Sequence, residues 1–278
     1  MMTRQHKHLG PLGIFDSGVG GLSVLREVRR QLPDEDLIYI ADQAHVPYGS
    51  RSREEVFGFS DGIVRYLIKK QTKLVIIACN TASAVALKDL RKKYPSLPFV
   101  GMEPAVKPAA AETSTGVVGV LATPSTFEGE LYASTVERFA RGVKILQDTC
   151  PGLVKQIEKG EISSLETVQI LQRALLPMLE EGVDEIVIGC THYPFVIPLI
   201  KEIVGEGVDV IDPAPAVARQ AERLLNKYDL QKEKQEEGKA FFYTTGETED
   251  FERLLYDLLS LDTKAISLRW VEGDLQER

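Results

Sequence analysis

Short apolar runs alternate with longer amphipathic segments along almost the whole chain. Strand-like runs separated by helix-like segments are typical of βαβ units, in which successive strands lie parallel. The runs at 74–78 and 185–189 are almost continuously apolar, which indicates strands covered on both faces. The strand-like runs are residues 12–15, 36–41, 74–78, 98–101, 116–122, 143–146, 185–189 and 208–211. The pattern therefore predicts an α/β fold with mainly parallel sheets.

One local pattern occurs twice: an apolar run, then a cysteine, then polar side chains. The first copy contains Cys79 and the second contains Cys190. In each half, an earlier strand is followed by small and hydroxylated residues, and a later strand is followed by an acidic residue and a proline. This repeat predicts two similar three-layer domains related by a pseudo-twofold axis, with the active site in the cleft between them.

The repeat also sets the predicted domain boundaries. The first half ends close to residue 103, and the second half ends close to residue 211. The tail that follows is too short to form a robust domain alone, so we expect it to pack against the first half. We therefore predict a first domain of residues 1–103 and 212–278, and a second domain of residues 104–211.

Both repeated cysteines directly follow predicted strands. Functional groups gather outside the carboxyl ends of strands in open parallel sheets. A helix that begins there offers unpaired N–H groups, which lower the pKa of a thiol and favour the thiolate. Two such thiols, facing each other across a cleft, can act on both faces of one small molecule. A single cysteine at a strand end is more often a small buried hydrophobe, and we interpret Cys150 in this way because it has no repeated partner.

The turn after the first strand, DSGVGG, places Asp16 and Ser17 where they can reach the cleft. The turn is not a dinucleotide-binding fingerprint, because Ser23 stands where the third glycine is needed. A base as close to a thiol as His192 is to Cys190 is a candidate for moving a proton. The remaining polar candidates lie in one loop or beside the cysteines: Tyr48, Gly49, Asn80, Thr81 and Thr191.

Composition narrows the class of protein. The net charge of −8 over 278 residues disfavours general binding to nucleic acid, which needs a basic surface. No apolar run approaches the roughly 20 residues that span a bilayer, and residues 1–10 lack the apolar core of a secretory signal. Three cysteines are a poor disulfide framework. We therefore expect a cytoplasmic protein with free thiols and no membrane partner.

Two other classes of function fit the same residues. Cys79, Cys190 and His192 are chemically suitable zinc ligands, so a metal-dependent hydrolase is one alternative. A two-lobed protein that binds an amino acid without turning it over is another, and its cysteines would serve packing only. Chelator treatment tests the first alternative, and an assay for turnover tests the second.

Four motifs in a fixed order give the chain a family resemblance: DSGVGG, VPYGSR, ACNTAS and GCTHYP. Together they resemble the bacterial glutamate racemases, which belong to the cofactor-independent aspartate/glutamate racemase superfamily. The similarity extends from about residue 12 to beyond residue 225. A sibling enzyme that acts on aspartate would share the fold and both thiols, but the motifs around Tyr48 and His192 resemble the glutamate branch.

The resemblance implies an isomerase that interconverts L- and D-glutamate and supplies D-glutamate for peptidoglycan. It implies that no cofactor or metal is needed and that the protein is a homodimer. Cys79 is implied to act on the D-form and Cys190 on the L-form. Asp16, His192 and Glu158 are implied to assist proton transfer, although Lys155 and Gln156 replace the usual proline and apolar residue before Glu158. The implied substrate contacts are Asp16, Ser17, Tyr48, Gly49, Asn80, Thr81, Thr191 and His192.

Overall fold

The structure is a computed structural model that describes residues 10–233 and 237–278. Its strands are β1 (Leu12–Asp16), β2 (Leu37–Ala41), β3 (Leu74–Ile77), β4 (Phe99–Gly101), β5 (Val117–Ala122), β6 (Lys144–Asp148), β7 (Glu185–Gly189), β8 (Asp209–Ile211), β9 (Ala240–Thr244), β10 (Ala265–Val271) and β11 (Asp274–Glu277). All eight strands expected from the apolar runs are present, within a few residues of their predicted bounds.

Helices connect most of the strands, as the amphipathic segments predict. They are α1 (Leu22–Gln31), α2 (Arg53–Lys69), α3 (Asn80–Lys93), α4 (Val106–Glu112), α5 (Pro124–Phe127), α6 (Glu130–Phe139), α7 (Leu153–Glu158), α8 (Leu165–Glu180), α9 (Ile197–Val204), α10 (Ala214–Tyr228) and α11 (Thr248–Leu259). In the described part of the chain, none of these helices has both the length and the apolar character needed to cross a membrane.

The strands form two sheets. The first has the order β11-β10-β9-β2-β1-β3-β4, and the second has the order β6-β5-β7-β8. All pairs are parallel except β10 with β11, which are antiparallel. The run β2-β1-β3-β4 repeats the order β6-β5-β7-β8 strand for strand, with β3 and β7 preceding the two cysteines. The α/β fold with mainly parallel sheets is therefore confirmed.

Helices cover the first sheet on both faces, because its central strands are apolar on both sides. Leu74 and Ile76 of β3 pack into a cluster that includes residues of α1 and α10. Val75 and Ile77 alternate with them and pack into a second cluster with residues of α2 and α3. All four side chains are fully buried. Each Å² of apolar surface that is buried stabilises the folded state by about 25 cal/mol. These layers are therefore the main contribution to the stability of the fold.

The C-terminal segment extends the first sheet. β9 pairs in parallel with β2, and β10 pairs in parallel with β9. The hairpin of β10 and β11 was not predicted, because residues 265–277 mix charged and apolar side chains as an edge hairpin with one solvated face does. The domain boundaries at 103 and 211 stay a prediction, which the distribution of β1–β4 and β9–β11 in one sheet and β5–β8 in the other supports.

Candidate active site

The carboxyl ends of strands from both sheets surround one small cavity of about 20 Å³. Nine of the predicted site residues line it: Ser17, Tyr48, Gly49, Cys79, Asn80, Thr81, Cys190, Thr191 and His192. Pro47, Thr123 and Val154 complete the lining. Asp16 and Glu158 do not line the cavity, but each forms a hydrogen bond with a residue that does. The two halves of the repeat therefore contribute their cysteines to a single site.

Cys79 occupies the N-cap position of α3. Its Sγ accepts a hydrogen bond from the N–H of Ala82 at 3.5 Å, and the hydroxyl Oγ of Ser17 lies 3.9 Å from the sulfur. Burial raises the pKa of the Cys79 thiol, and the negative charge of Asp16 raises this pKa further. The expectation that the helix N-terminus favours a thiolate is therefore wrong for Cys79, because desolvation outweighs the hydrogen bond from Ala82.

Cys190 directly follows β7, but the helix expected after it does not begin there. A short 3₁₀ turn, Tyr193–Val196, comes first, and α9 begins only at Ile197. A continuous α-helix from Tyr193 would need an N–H at position 198, and Pro198 has none. The polar neighbour of the Cys190 sulfur is instead Nδ1 of His192, at 3.8 Å.

His192 connects Cys190 to a carboxylate. Its Nε2 lies 2.6 Å from Oε1 of Glu158, and the imidazole is almost fully buried. Burial acts to lower the pKa of His192, but the hydrogen bonds with Cys190 and Glu158 outweigh it and raise the pKa well above the ordinary value. Burial acts to raise the pKa of Glu158, and the bond from His192 reverses this effect, so the pKa of Glu158 is lowered. The imidazole of His192 therefore lies between the carboxylate of Glu158 and the sulfur of Cys190.

Glu158 also links the second half of the repeat to the first. Its Oε1 accepts the N–H of Val19 at 2.8 Å, and its Oε2 accepts Nε2 of Gln43 at 3.3 Å. This close approach requires glycine in DSGVGG, because a Cβ on Gly18 would lie 2.0 Å from Oε1 of Glu158. A Cβ on Gly20 would lie 2.5 Å from Nδ1 of His192. The glycines therefore let the first strand–helix turn contact the opposite half directly.

Asp16, at the end of β1, is completely buried behind the cavity. Its two oxygens accept hydrogen bonds from Oγ of Ser17 at 3.0 Å and from Oγ1 of Thr191 at 2.8 Å. Burial raises the pKa of Asp16, and the positive charge of His192 and the two hydroxyl donors oppose the increase. Asp16 thus joins the two halves beside Cys79, as Glu158 joins them beside Cys190.

Asn80 supplies an unused hydrogen-bonding group. Its side chain lines the cavity and is almost fully buried, and neither amide atom has a hydrogen-bond partner among the described residues. A buried polar group without a partner costs about 1–3 kcal/mol. A bound polar molecule would recover that cost, so the amide indicates a site built for a ligand.

Thr123 is a site residue that the sequence did not single out. Its Oγ1 lies 3.2 Å from Oγ1 of Thr81, across the cavity between the two halves. The repeat predicts its place, because Thr123 directly follows β5 in the second half, just as Ser17 directly follows β1 in the first half. Asp42 was also missed: its Oδ2 accepts the hydroxyl of Tyr48 at 2.6 Å.

Cys150 lies outside the cavity and is buried. Burial raises the pKa of its thiol, and its backbone N–H donates to Oδ1 of Asp148 at 2.6 Å. This placement agrees with its interpretation as a structural residue. Within residues 10–233 and 237–278, no group of three or more His, Cys, Asp or Glu side chains is arranged to hold a metal ion.

The chain is similar to known racemases over most of its length. Residues 13–221 match the model of the Asp/Glu/hydantoin racemase family. A glutamate racemase of Roseiflexus sp. (strain RS-1) is 48% identical over 249 residues, which are 89% of this chain and 92% of that protein.

Solved structures have the same fold. The glutamate racemase of Escherichia coli, in complex with L-glutamate, superposes with a TM-score of 0.81 at 33% identity over 92% of this chain and 97% of that chain. The glutamate racemase of Francisella tularensis, in complex with D-glutamate, gives a TM-score of 0.80 at 29% identity over 96% of this chain and 99% of that chain. The protein is therefore a racemase that belongs to the Asp/Glu/hydantoin racemase family.

Proposed function

We propose that this racemase interconverts L- and D-glutamate by proton transfer between the substrate and two thiols. The observation that carries the proposal is that Cys79 and Cys190, from equivalent positions of an internal repeat, line the same small cavity. Racemisation removes the α-hydrogen from one face of a carbon and returns a proton to the other face. Two acid–base groups on opposite sides meet this requirement without turning the substrate over.

The surroundings of the two sulfurs differ in a way that supports the proposal. Burial raises the pKa of Cys79, so this residue begins as the thiol. We propose that the reaction of L-glutamate starts with Cys190 as the base, since its sulfur lies 3.8 Å from Nδ1 of His192. From this state the Cys190 thiolate takes the α-proton of L-glutamate, and the Cys79 thiol gives its proton to the opposite face to form D-glutamate. The D-to-L direction begins from the opposite protonation state and runs through the same two transfers in reverse.

The main chemical difficulty is the weak acidity of the α-hydrogen. Positioned acid–base groups contribute about 10²–10⁴-fold, so further stabilisation must reach the carboxylate on which negative charge accumulates. Asn80, Thr81 and Thr191 line the cavity and offer side-chain donors for this purpose. The unpartnered amide of Asn80 is the strongest of these candidates, because no protein group among the described residues competes for it.

Glutamate enters only if the two halves move apart. A cavity of about 20 Å³ has room for about one water molecule, whereas glutamate is several times larger. The hydrogen bonds that hold the two halves together at the site include those of Glu158 with Val19, Thr191 with Asp16, and Thr81 with Thr123. We infer that binding replaces some of these bonds with bonds to the substrate and that closure then excludes water.

The test uses purified protein and L-glutamate in D₂O, with no added cofactor and with a chelator present. We expect optical activity to decay while deuterium appears at the α-carbon of the D-glutamate formed. Because the donor thiol exchanges with solvent and the acceptor thiol does not return its proton to the same face, L-glutamate recovered early should stay largely undeuterated. Equal early deuteration of both enantiomers would contradict the two-thiol mechanism, and an absence of turnover would contradict the racemisation of glutamate itself.

The biological role follows from the product. We propose that D-glutamate made by this protein enters peptidoglycan and that the protein acts in the cytoplasm as a homodimer, as the family resemblance implies. Expression of the chain should restore growth without added D-glutamate to a bacterium that lacks its own glutamate racemase. Sedimentation of the purified protein tests the dimer separately.

A further inference from the structure

We propose that Asp42 is a positioning residue, which fixes the loop carrying Tyr48 and Gly49 and couples this loop to the C-terminal strand β10. The inference rests on the proposed function for the identity of the substrate. Asp42 does not line the cavity. It acts through Tyr48, which lines the cavity. The hydroxyl of Tyr48 donates a hydrogen bond to Oδ2 of Asp42 at 2.6 Å.

Four donors converge on the Asp42 carboxylate. Oδ2 lies 2.9 Å from Nδ1 of His45, in addition to the bond from Tyr48. Oδ1 accepts Oγ1 of Thr245 and Nε1 of Trp270, both at 2.8 Å. A carboxylate offers about four acceptor positions, so the group is saturated. Its side chain is fully buried, and each bond to this charge is therefore stronger than a bond between neutral groups.

The position of Asp42 explains why these donors meet. Asp42 follows β2, Thr245 follows β9 and Trp270 lies in β10, and these three strands are neighbours in the first sheet. The carboxyl ends of β2 and β9 therefore place the active-site loop beside the C-terminal segment. His45 adds a second connection, because its ring stacks on Phe59 at a centroid distance of 3.8 Å. The loop thus has two fixed points ahead of Tyr48, at Asp42 and at His45.

An asparagine cannot reproduce this arrangement. The substitution Asp42→Asn keeps the volume of the side chain, but the amide nitrogen of an asparagine only donates, so two of the four donors would lose their acceptor. This variant should leave Cys79, Cys190 and their immediate contacts intact. We therefore expect KM for glutamate to rise about tenfold, since bonds to a charged group are lost, while kcat changes less than about threefold.

The fluorescence of Trp270 provides a second readout. A substitution that only lowered stability would leave the fluorescence response to glutamate unchanged. It is the single tryptophan of the chain, so the intrinsic fluorescence reports on the group bonded to Oδ1 of Asp42. A racemic mixture of glutamate keeps its composition during turnover, so it can be titrated at equilibrium. We expect the titration to change the fluorescence of the original protein, and we expect Asp42→Asn and Tyr48→Phe to reduce this change.

Asp184→Asn is the matched control. Asp184 also accepts several bonds, from Thr113, Ser114 and Thr115, but it lies immediately before β7, at the opposite end of that strand from Cys190. Thermal unfolding should show a loss of stability in both variants, whereas only Asp42→Asn should raise KM and reduce the fluorescence response. An Asp42→Asn protein that is less stable but keeps its KM and its response would overturn the inference. Failure of the original protein to racemise glutamate would instead contradict the proposed function.

Discussion

Nε2 of His192 lies 2.6 Å from Oε1 of Glu158. The same oxygen accepts the N–H of Val19 at 2.8 Å, so one carboxylate orients the imidazole and also holds the two halves of the repeat together. Nδ1 of His192 is left facing the sulfur of Cys190 at 3.8 Å. This chain of contacts raises the pKa of His192 and lowers the pKa of Glu158, and several experimental outcomes follow for these groups and their neighbours.

Glu158→Gln should lower both the activity and the pH at which His192 loses its proton. The hydrogen bond from Glu158 helps to raise the pKa of His192 above its ordinary value, so the imidazolium persists to higher pH in the original protein. We expect kcat at neutral pH to fall about tenfold or more, within the range of a positioned acid–base group. The alkaline limb of the pH–rate profile should move to lower pH. An unchanged alkaline limb would show that Glu158 does not control the titration of His192. The control variant is Glu166→Gln, at an exposed position of α8.

Replacement of each cysteine by alanine separates the proposed catalytic thiols from the structural one. Cys79→Ala and Cys190→Ala should each abolish racemisation, because each removes the acid–base group of one face. Cys150→Ala should keep most of the activity, since Cys150 lies outside the cavity. Polarimetry from both enantiomers measures the outcome. As the two enantiomers have equal free energy, kcat/KM must be the same in both directions for every variant. Full activity of either of the first two variants would remove the proposed role of that cysteine.

Gly20→Ala should inactivate the protein through crowding at the contact between the halves. Its Cβ would lie 2.5 Å from Nδ1 of His192 and 2.8 Å from the backbone nitrogen of the same residue. Because backbone cannot move aside cheaply, we expect the two halves to separate locally and kcat to fall by about tenfold or more. Gly58→Ala in α2 is the matched control, because, apart from its chain neighbours and the backbone of its own helix, no atom of the described residues lies within 4 Å of the position that its new methyl group would take. That variant should be active and slightly more stable, and equal loss of activity in both would reject the explanation.

Glu185→Gln should stabilise the protein at alkaline pH. Burial raises the pKa of Glu185 to about 7, and the nearby charges of Asp209, Glu112 and Asp184 contribute. Since the folded-state pKa exceeds the ordinary value of 4.5, the folded state loses stability relative to the unfolded state as the pH rises from about 4.5 through 7. The loss is at most about 3.4 kcal/mol, and solvent screening at the end of the strand reduces it. Denaturant unfolding at pH 5 and pH 8 measures the free energy of unfolding. This free energy should be higher for the variant than for the original protein mainly at pH 8. A pH-independent difference would contradict the titration of Glu185.

The sequence by itself determined the fold class and most of the residues that line the cavity. Almost continuously apolar strands such as β3 and β7 must be covered on both faces, and this requirement leads to parallel sheets with helices on each side. The repeated pattern around Cys79 and Cys190 placed both thiols at strand ends, where parallel sheets collect functional groups. These conclusions depend on local periodicity and spacing, which are properties of the chain.

Only the tertiary structure decided what surrounds each group. Burial raises the pKa of Cys79 although a helix begins beside it, and desolvation depends on atoms from distant segments that no local pattern contains. Thr245 and Trp270 reach Asp42 from 203 and 228 residues away in sequence, because β9 and β10 follow β2 in the sheet. Spacing along the chain predicts which residues lie at the ends of strands. The distances, partners and dielectric environment that set their chemistry arise only when separate segments pack together.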